Sequence, residues 1–250
     1  MGISIKTDFE IGIMREAGRI LANIVKELVR NIKEGYSTYK IDINANDLCK
    51  RNNVKPAFLG YRDYPSTACL GVNDTVVHGI PGEEEILRNG DILSVDMGII
   101  YKGYYSDMAV TVGVGKISKI ARKLIDVTRD CLYSAIDVTK AGNTIGDLGF
   151  AIQSTAERAG FNVVREMVGH GIGRELHEEP RIPGYGTPGE GIELKAGMTL
   201  AIEAIINEGG REIKFLDDGW TTKTVDGKLS ALFEHTVVVG KRAAKVLTKC

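Results

Sequence analysis

The sequence predicts an α+β fold in which two similar halves, each a pair of helices followed by strands, share a largely antiparallel sheet. Helical periodicity precedes strand-like sequence twice along the chain, and bunched helices followed by runs of strands are typical of α+β folds. Features also recur at an offset of 107 residues, which separates Glu203 from Asp96 and Gly197 from Gly90. Several matches at one offset indicate a duplicated unit.

Two helices are predicted in each half. In the first half, Thr7-x-x-Glu10 is a capping box, and apolar residues at i, i+3 and i+4 over residues 13–29 predict a long amphipathic helix. A second helix is expected to begin at Ser37 or Thr38 and to end near residues 52–53.

The second half repeats this arrangement. Ser118 begins a helix, Gly142 interrupts the chain, and Thr144-x-x-Asp147 caps another helix that runs to residues 159–160.

The strand-rich ends of the two halves differ in length. Asp107 and Gly113 correspond to Glu234 and Gly240, but at an offset of 127 residues. We interpret the additional residues as a hairpin inserted around 209–229, where two Asp-Gly turn signals occur. The chain is therefore expected to form one domain over residues 1–250, with repeats at about 8–115 and about 118–250.

Composition excludes several functional classes. The 250 residues include 32 Lys and Arg against 33 Asp and Glu, so neither nucleic acid nor an anionic membrane is expected as a partner. No apolar run approaches the roughly 20 residues of a spanning helix, and the N-terminus lacks a signal-peptide pattern. The cysteines form no CxxC pair, which disfavours a zinc knuckle or a disulfide framework and favours a reduced, cytoplasmic setting. They are Cys49, Cys69, Cys131 and Cys250.

Four acidic residues lie in apolar strand sequence, two in each half: Asp96, Asp107, Glu203 and Glu234. A carboxylate buried in a strand is destabilising by on the order of several kcal/mol unless a partner or a metal compensates its charge. Four of them together predict a cation site near the axis that relates the halves.

The histidines offer a second class of ligand. Glycines flank His170 and let its backbone approach another group closely, although a structural histidine stays open as the alternative. Carboxylates with an imidazole suit Mn, Fe(II), Co or Zn better than Ca or Mg. His235 follows Glu234, so strand alternation turns it to the opposite face, where a structural role is expected.

Other catalytic chemistries lack their motifs. The glycine stretch from Gly169 has Arg174 where a dinucleotide-binding fingerprint needs a third glycine. No P-loop, HExxH or G-x-S-x-G sequence occurs.

In this order and context, Asp96, Asp107, His170, Glu203 and Glu234 resemble the ligand set of the pita-bread metallopeptidases, and within them the short, bacterial-type (type I) methionine aminopeptidases. One position departs from that family, because Ala204 stands where Pro usually follows the ligand glutamate, but this removes no ligand. Further motifs similar to those of the family cover essentially the whole chain: Ile5–Thr7, Lys55–Phe58, Tyr61-x-x-Tyr64, Asn73–Pro81, Gly169–Gly173, Leu176–Pro180, Asp218–Thr221 and Phe233–Thr236.

The resemblance implies the pita-bread fold and the metal-dependent removal of N-terminal methionine from nascent proteins and peptides that have a small second residue. By resemblance, one divalent metal takes Asp96, Asp107 and Glu234. A second takes His170 and Glu203 and shares the other two carboxylates, Asp107 and Glu234. A hydroxide held by both metals would attack the scissile carbonyl.

The resemblance also implies roles for other side chains. Glu203 would shuttle the proton, His177 would donate to the oxyanion, and His78 would contact the scissile amide. For Phe58, Leu176 and Trp220, core packing is the alternative to a substrate contact. The implied pocket for the methionine side chain is Phe58, Tyr61, Tyr64, Cys69, Leu176 and Trp220. A monovalent-cation site near the metals in some relatives resembles Asn73, Thr75 and Ser230.

Three other functions stay open on the residues alone. An X-Pro dipeptidase or aminopeptidase would share the ligands but usually carries an additional N-terminal domain. A non-catalytic pita-bread binding protein would typically have lost ligands, and a calcium-stabilised module would not explain the histidines. The favoured reaction implies Met-peptides and nascent chains as partners, with a transient ribosome contact and a monomeric state.

Overall fold

The computed structural model describes residues 2–249, so Cys250 lies outside the described residues. The helices are α1 (Asp8–Arg30), α2 (Thr38–Arg51), α3 (Lys119–Val138) and α4 (Ile145–Arg158). The strands are β1 (Lys55–Pro56), β2 (Ala68–Val72), β3 (Thr75–Val77), β4 (Ile92–Tyr101), β5 (Tyr104–Gly113), β6 (Asn162–Val163), β7 (Gly169–Gly171), β8 (Glu178–Ile182), β9 (Thr199–Asn207), β10 (Ile213–Phe215), β11 (Thr222–Thr224), β12 (Ser230–Val238) and β13 (Lys245–Val246). A short 3-10 helix covers Tyr61–Asp63.

The four predicted helices form with their predicted N-terminal caps. The Thr7 hydroxyl accepts the Glu10 N–H and the Glu10 carboxylate accepts the Thr7 N–H, which completes the capping box of α1. Thr144 and Asp147 do the same for α4. Such caps satisfy backbone N–H groups that the first turn leaves free. Ser37 and Ser118 cap α2 and α3.

The main sheet runs through both halves in the order β1-β4-β5-β12-β9-β7-β8, with β2 on β4, β6 on β9 and β13 on β12. Each of these strand pairs is antiparallel, as the sequence predicted. The halves join where β5 pairs with β12. Among the described residues, no helix combines the length and the apolar character needed to cross a membrane.

The helices cover one face of the sheet. Leu93, Val95 and Met97 of β4 pack in one cluster with α1 and α2, and Leu200 and Ile202 of β9 pack in another with α3 and α4. Because side chains alternate along a strand, residues between these positions face the other side. That face carries the acidic residues.

The predicted insertion is a hairpin. Strands β10 and β11 pair with each other, and β11 also pairs with β3 to form a separate three-stranded sheet. The inserted segment brings Trp220 toward the acidic face of the main sheet. Ala204 is fully buried, and the pairing of β9 with β12 continues through it without a register shift.

Candidate metal centre and substrate cavity

Strand register brings the four acidic residues together. Glu203 lies directly opposite Glu234, Glu234 lies opposite Ala109, and Ala109 lies opposite Asp96. Asp107 is two residues from Ala109 on the same strand, so its side chain faces the same side. Two carboxylates from each half therefore meet on the face that the helices leave free.

His170 joins this cluster from β7. Its backbone pairs with Ala201, two residues before Glu203. The flanking glycines are needed because a Cβ at Gly171 would lie 2.7 Å from the carbonyl carbon of Glu179. The His170 Nδ1 lies 2.8 Å from the carbonyl oxygen of Gly171. Nδ1 therefore donates, and Nε2 keeps a lone pair for a metal.

Burial perturbs every group of the cluster. It raises the pKa of Asp96, Asp107 and Glu234 well above the ordinary values, and the neighbouring carboxylates add to the effect. Burial raises the pKa of Glu203 to about 7 and lowers the pKa of His170 to about 4. The protein alone thus supplies too little positive charge for these carboxylates.

The residues present fit a divalent metal ion. One ligand atom from each of Asp107, His170 and Glu234 lies within 4.8 Å of the others. The Oδ1 atoms of Asp96 and Asp107 are buried and accept no hydrogen bond from the described residues. Buried oxygens without donors are costly in a folded protein unless a cation compensates them. A bound dication would supply that compensation.

Two more histidines approach the cluster. The ring centroids of His177 and His170 are 4.3 Å apart, and the Tyr61 hydroxyl lies 2.8 Å from the His177 Nδ1. Burial, then the nearby imidazoles, lowers the pKa of His177 to about 3, so its ring is neutral. His78 has a left-handed backbone, with φ of 57°, and its ring meets Trp220 edge-on at 5.9 Å. Burial also lowers the pKa of His78.

A cavity of 910 Å³ brings the predicted site residues together. It is lined by the five predicted metal ligands, by His78 and His177, and by all six residues of the predicted methionine pocket. In that pocket, Tyr64 and Trp220 meet edge-on with ring centroids 5.1 Å apart. Burial raises the pKa of the Cys69 thiol, which therefore stays protonated and behaves as an apolar surface. The cavity thus joins a metal cluster to an aromatic pocket.

Asn73, Thr75 and Ser230 lie apart from this cavity. The Ser230 N–H donates to the carbonyl oxygen of Asn73 at 2.8 Å, and the buried Ser230 hydroxyl has no hydrogen-bond partner among the described residues. His235 lies on the opposite face of β12, where its Nδ1 is 2.9 Å from the Thr248 hydroxyl.

Sequence reasoning overlooked one pair at the edge of the cavity. Lys6 forms an ion pair with Glu178, which directly follows His177 in the chain. The two residues are 172 positions apart, so no local pattern relates them. The only available signal is that both lie in segments that resemble the family motifs.

Comparison with known proteins identifies the family. A sequence profile of metallopeptidase family M24 matches residues 12–241. The chain belongs to metallopeptidase family M24. Among M24 relatives, methionine aminopeptidase 1 of Bacillus subtilis is 46% identical over 244 residues, which are 98% of each chain. The predicted resemblance to methionine aminopeptidases is confirmed.

Solved structures of similar proteins confirm the predicted pita-bread fold. Methionine aminopeptidase from Thermotoga maritima superposes with a TM-score of 0.98 at 45% identity, and the two chains cover each other fully. Prolidase from Pyrococcus horikoshii superposes with a TM-score of 0.79 at 23% identity. The match spans 98% of this chain but 63% of the prolidase, so that likeness concerns the fold alone.

Proposed function

We propose that the chain is a methionine aminopeptidase, a metal-dependent hydrolase that removes the N-terminal methionine from peptides and nascent proteins. Membership of family M24 and 46% identity over almost the whole length support this function. The observation that carries it is the single cavity in which a cluster fitted for a divalent metal adjoins a pocket lined by aromatic side chains.

Two divalent ions are proposed for the cluster. Asp96, Asp107 and Glu234 would hold one ion, and His170 and Glu203 would hold the second together with the two shared carboxylates, Asp107 and Glu234. Co, Mn, Fe(II) or Zn suits this mixture of oxygen and imidazole ligands. When bound, such ions polarise a carbonyl and bring the pKa of a water from 15.7 toward about 7.

The side chains of the protein would then position the substrate and move protons. The Glu203 carboxylate takes a proton from the attacking water and passes it to the leaving amine. The Tyr61 hydroxyl donates to the Nδ1 of the neutral His177, which leaves the Nε2–H free to donate to the substrate carbonyl oxygen. His78 contacts the scissile amide from the Trp220 side of the cavity.

The methionine side chain would occupy the pocket of Phe58, Tyr61, Tyr64, Cys69, Leu176 and Trp220. Contacts between sulfur and aromatic rings contribute about 0.3–1.5 kcal/mol each, which favours methionine over a shorter apolar side chain. A small second residue such as Gly, Ala or Ser is expected on the substrate.

Further features belong to the same proposal. The chain would act as one catalytic domain built from the two repeats, because each half contributes two of the four acidic residues. It would act as a monomer in the cytoplasm, where Cys49, Cys69 and Cys131, which are buried and unpaired, stay reduced. Nascent chains would reach it through a transient ribosome contact. Asn73, Thr75 and Ser230 would hold a monovalent cation.

Paired peptides test the proposed function. Purified protein supplied with Mn(II) is incubated with Met-Ala-Ser and with Ala-Pro-Ser, and the released N-terminal residue is measured. Release of methionine from the first peptide alone is expected. Cleavage of only the second peptide would assign the chain to the proline-specific enzymes of the same fold. No release from either peptide, with Mn(II) bound, would instead favour a binding protein.

A further inference from the structure

The loop that carries His177 into the cavity has little structure of its own. We call residues 173–178 the histidine loop; it follows β7 and reaches the first residue of β8. Within it, the Glu178 carboxylate accepts the Arg174 N–H at 2.8 Å and the Glu175 N–H at 3.3 Å. The geometry of the loop, and with it the position of His177, therefore depends on where the Glu178 carboxylate is held.

Lys6 holds that carboxylate. Its ammonium pairs with the Glu178 Oε2, and the two side chains are only 3% and 16% exposed. The Lys6 ammonium also packs directly beneath the loop, because a Cβ at Gly173 would lie 2.6 Å from the Lys6 Nζ. The Lys6 N–H donates to the carbonyl oxygen of Gly197 at 2.9 Å, which fixes the N-terminal segment against the turn before β9.

A second contact between the N-terminal region and the loop is weaker. Arg174 lies 3.4 Å from the Glu10 carboxylate and stacks over the Tyr104 ring, but its side chain is 67% exposed. Exposed ion pairs contribute roughly 0–1 kcal/mol, whereas loss of one partner of a buried pair leaves a charge uncompensated and is far more costly. The Lys6–Glu178 pair is therefore the main anchor of the histidine loop.

We propose that Lys6 is a positioning residue for His177. Lys6 holds the Glu178 carboxylate, the carboxylate holds the Arg174 and Glu175 N–H groups, and the closed loop holds His177 against Tyr61. Without the ammonium, the Glu178 carboxylate turns toward water and releases these N–H groups. This inference rests on the proposed function, because it assigns Lys6 to the reaction only through His177.

A double-mutant cycle tests the coupling. Lys6→Met keeps the side-chain length and removes the charge, and kcat for Met-Ala-Ser is expected to fall about 10–100-fold, as for other losses of supporting contacts. In a His177→Ala background, the same substitution should change kcat by less than about twofold. Lys50→Met is the matched control, because it removes an exposed pair with Asp47 far from the cavity and should leave kcat unchanged. Unfolding midpoints are measured for every variant.

An equal fold loss in both backgrounds, or no loss in the wild-type background, would overturn the proposal. Should Lys6→Met fail to fold, Glu178→Gln removes the same ion pair at equal volume and allows the same cycle. Nitrogen NMR of the His177 imidazole in the metal-free protein separates this proposal from the function. Lys6→Met should shift the Nδ1 resonance that reports the Tyr61 contact, even if the wild type proved inactive on Met-Ala-Ser. An unshifted resonance would refute the positioning role.

Discussion

At the residue scale, the proposed reaction depends most directly on the Glu203 carboxylate. It lies opposite Glu234 in the sheet and lines the cavity. Glutamine at this position preserves the volume and an oxygen that can bind metal, but it cannot take up a proton.

We therefore expect Glu203→Gln to lower kcat for Met-Ala-Ser by about 10²–10⁴-fold, the usual contribution of a positioned general base. The control is Glu193→Gln, which changes an exposed carboxylate outside the cavity. Metal content is measured on both proteins. Full turnover by Glu203→Gln with its metals bound would contradict the proposed role.

Some site residues could be found in the sequence because they break a local pattern. Asp96 and Glu203 stand out since each interrupts an apolar strand, and His170 stands out because glycines flank it. The ion pair of Lys6 with Glu178 could not be found this way, because only the folded chain brings the two together. The left-handed backbone of His78 also has no signature in its own residue type.

At the element scale, the N-terminus of α1 shows how local signals determine an element. The Thr7 N–H, then the Tyr104 hydroxyl, lowers the pKa of Glu10 to about 2 from its ordinary value of 4.5. A carboxyl group with a lowered pKa in the folded state stabilises the fold above its unfolded pKa, and this stabilisation is lost as the pH falls toward the folded value.

We therefore expect wild type to be more stable than Glu10→Gln in urea unfolding at pH 7, and the difference to shrink as the pH falls from 4.5 toward 2. The comparison is repeated with Asp126→Gln, since Asp126 has an exposed pair with Arg129 and no capping role. A difference for Glu10→Gln that stays constant across this pH range would show that the cap does not depend on the ionised carboxylate.

Helices and short strands differed in how well the sequence predicted them. Capping residues lie beside the helices that they begin, so all four starts were predicted correctly. Strands such as β6 and β13 have two residues each and exist because of partners far along the chain. Their pairing is therefore a tertiary property that periodicity cannot reveal.

At the scale of the whole molecule, the cavity arises where the two halves pair. Asp96 and Asp107 come from the first half and Glu203 and Glu234 from the second, and the pairing of β5 with β12 brings them onto one face. The constant offset in the sequence indicated two similar units and an inserted hairpin. It could not indicate that β11 pairs with β3, because that contact joins the insertion to the first half.

The central claim is that these buried carboxylates hold a divalent metal that the reaction requires. The most direct test is methionine release from Met-Ala-Ser by metal-stripped protein, before and after addition of Mn(II), with Asp107→Asn alongside. We predict no release without metal, recovery in the wild type on addition of Mn(II), and at most slight recovery in Asp107→Asn. Undiminished release by the metal-stripped wild type would contradict the claim.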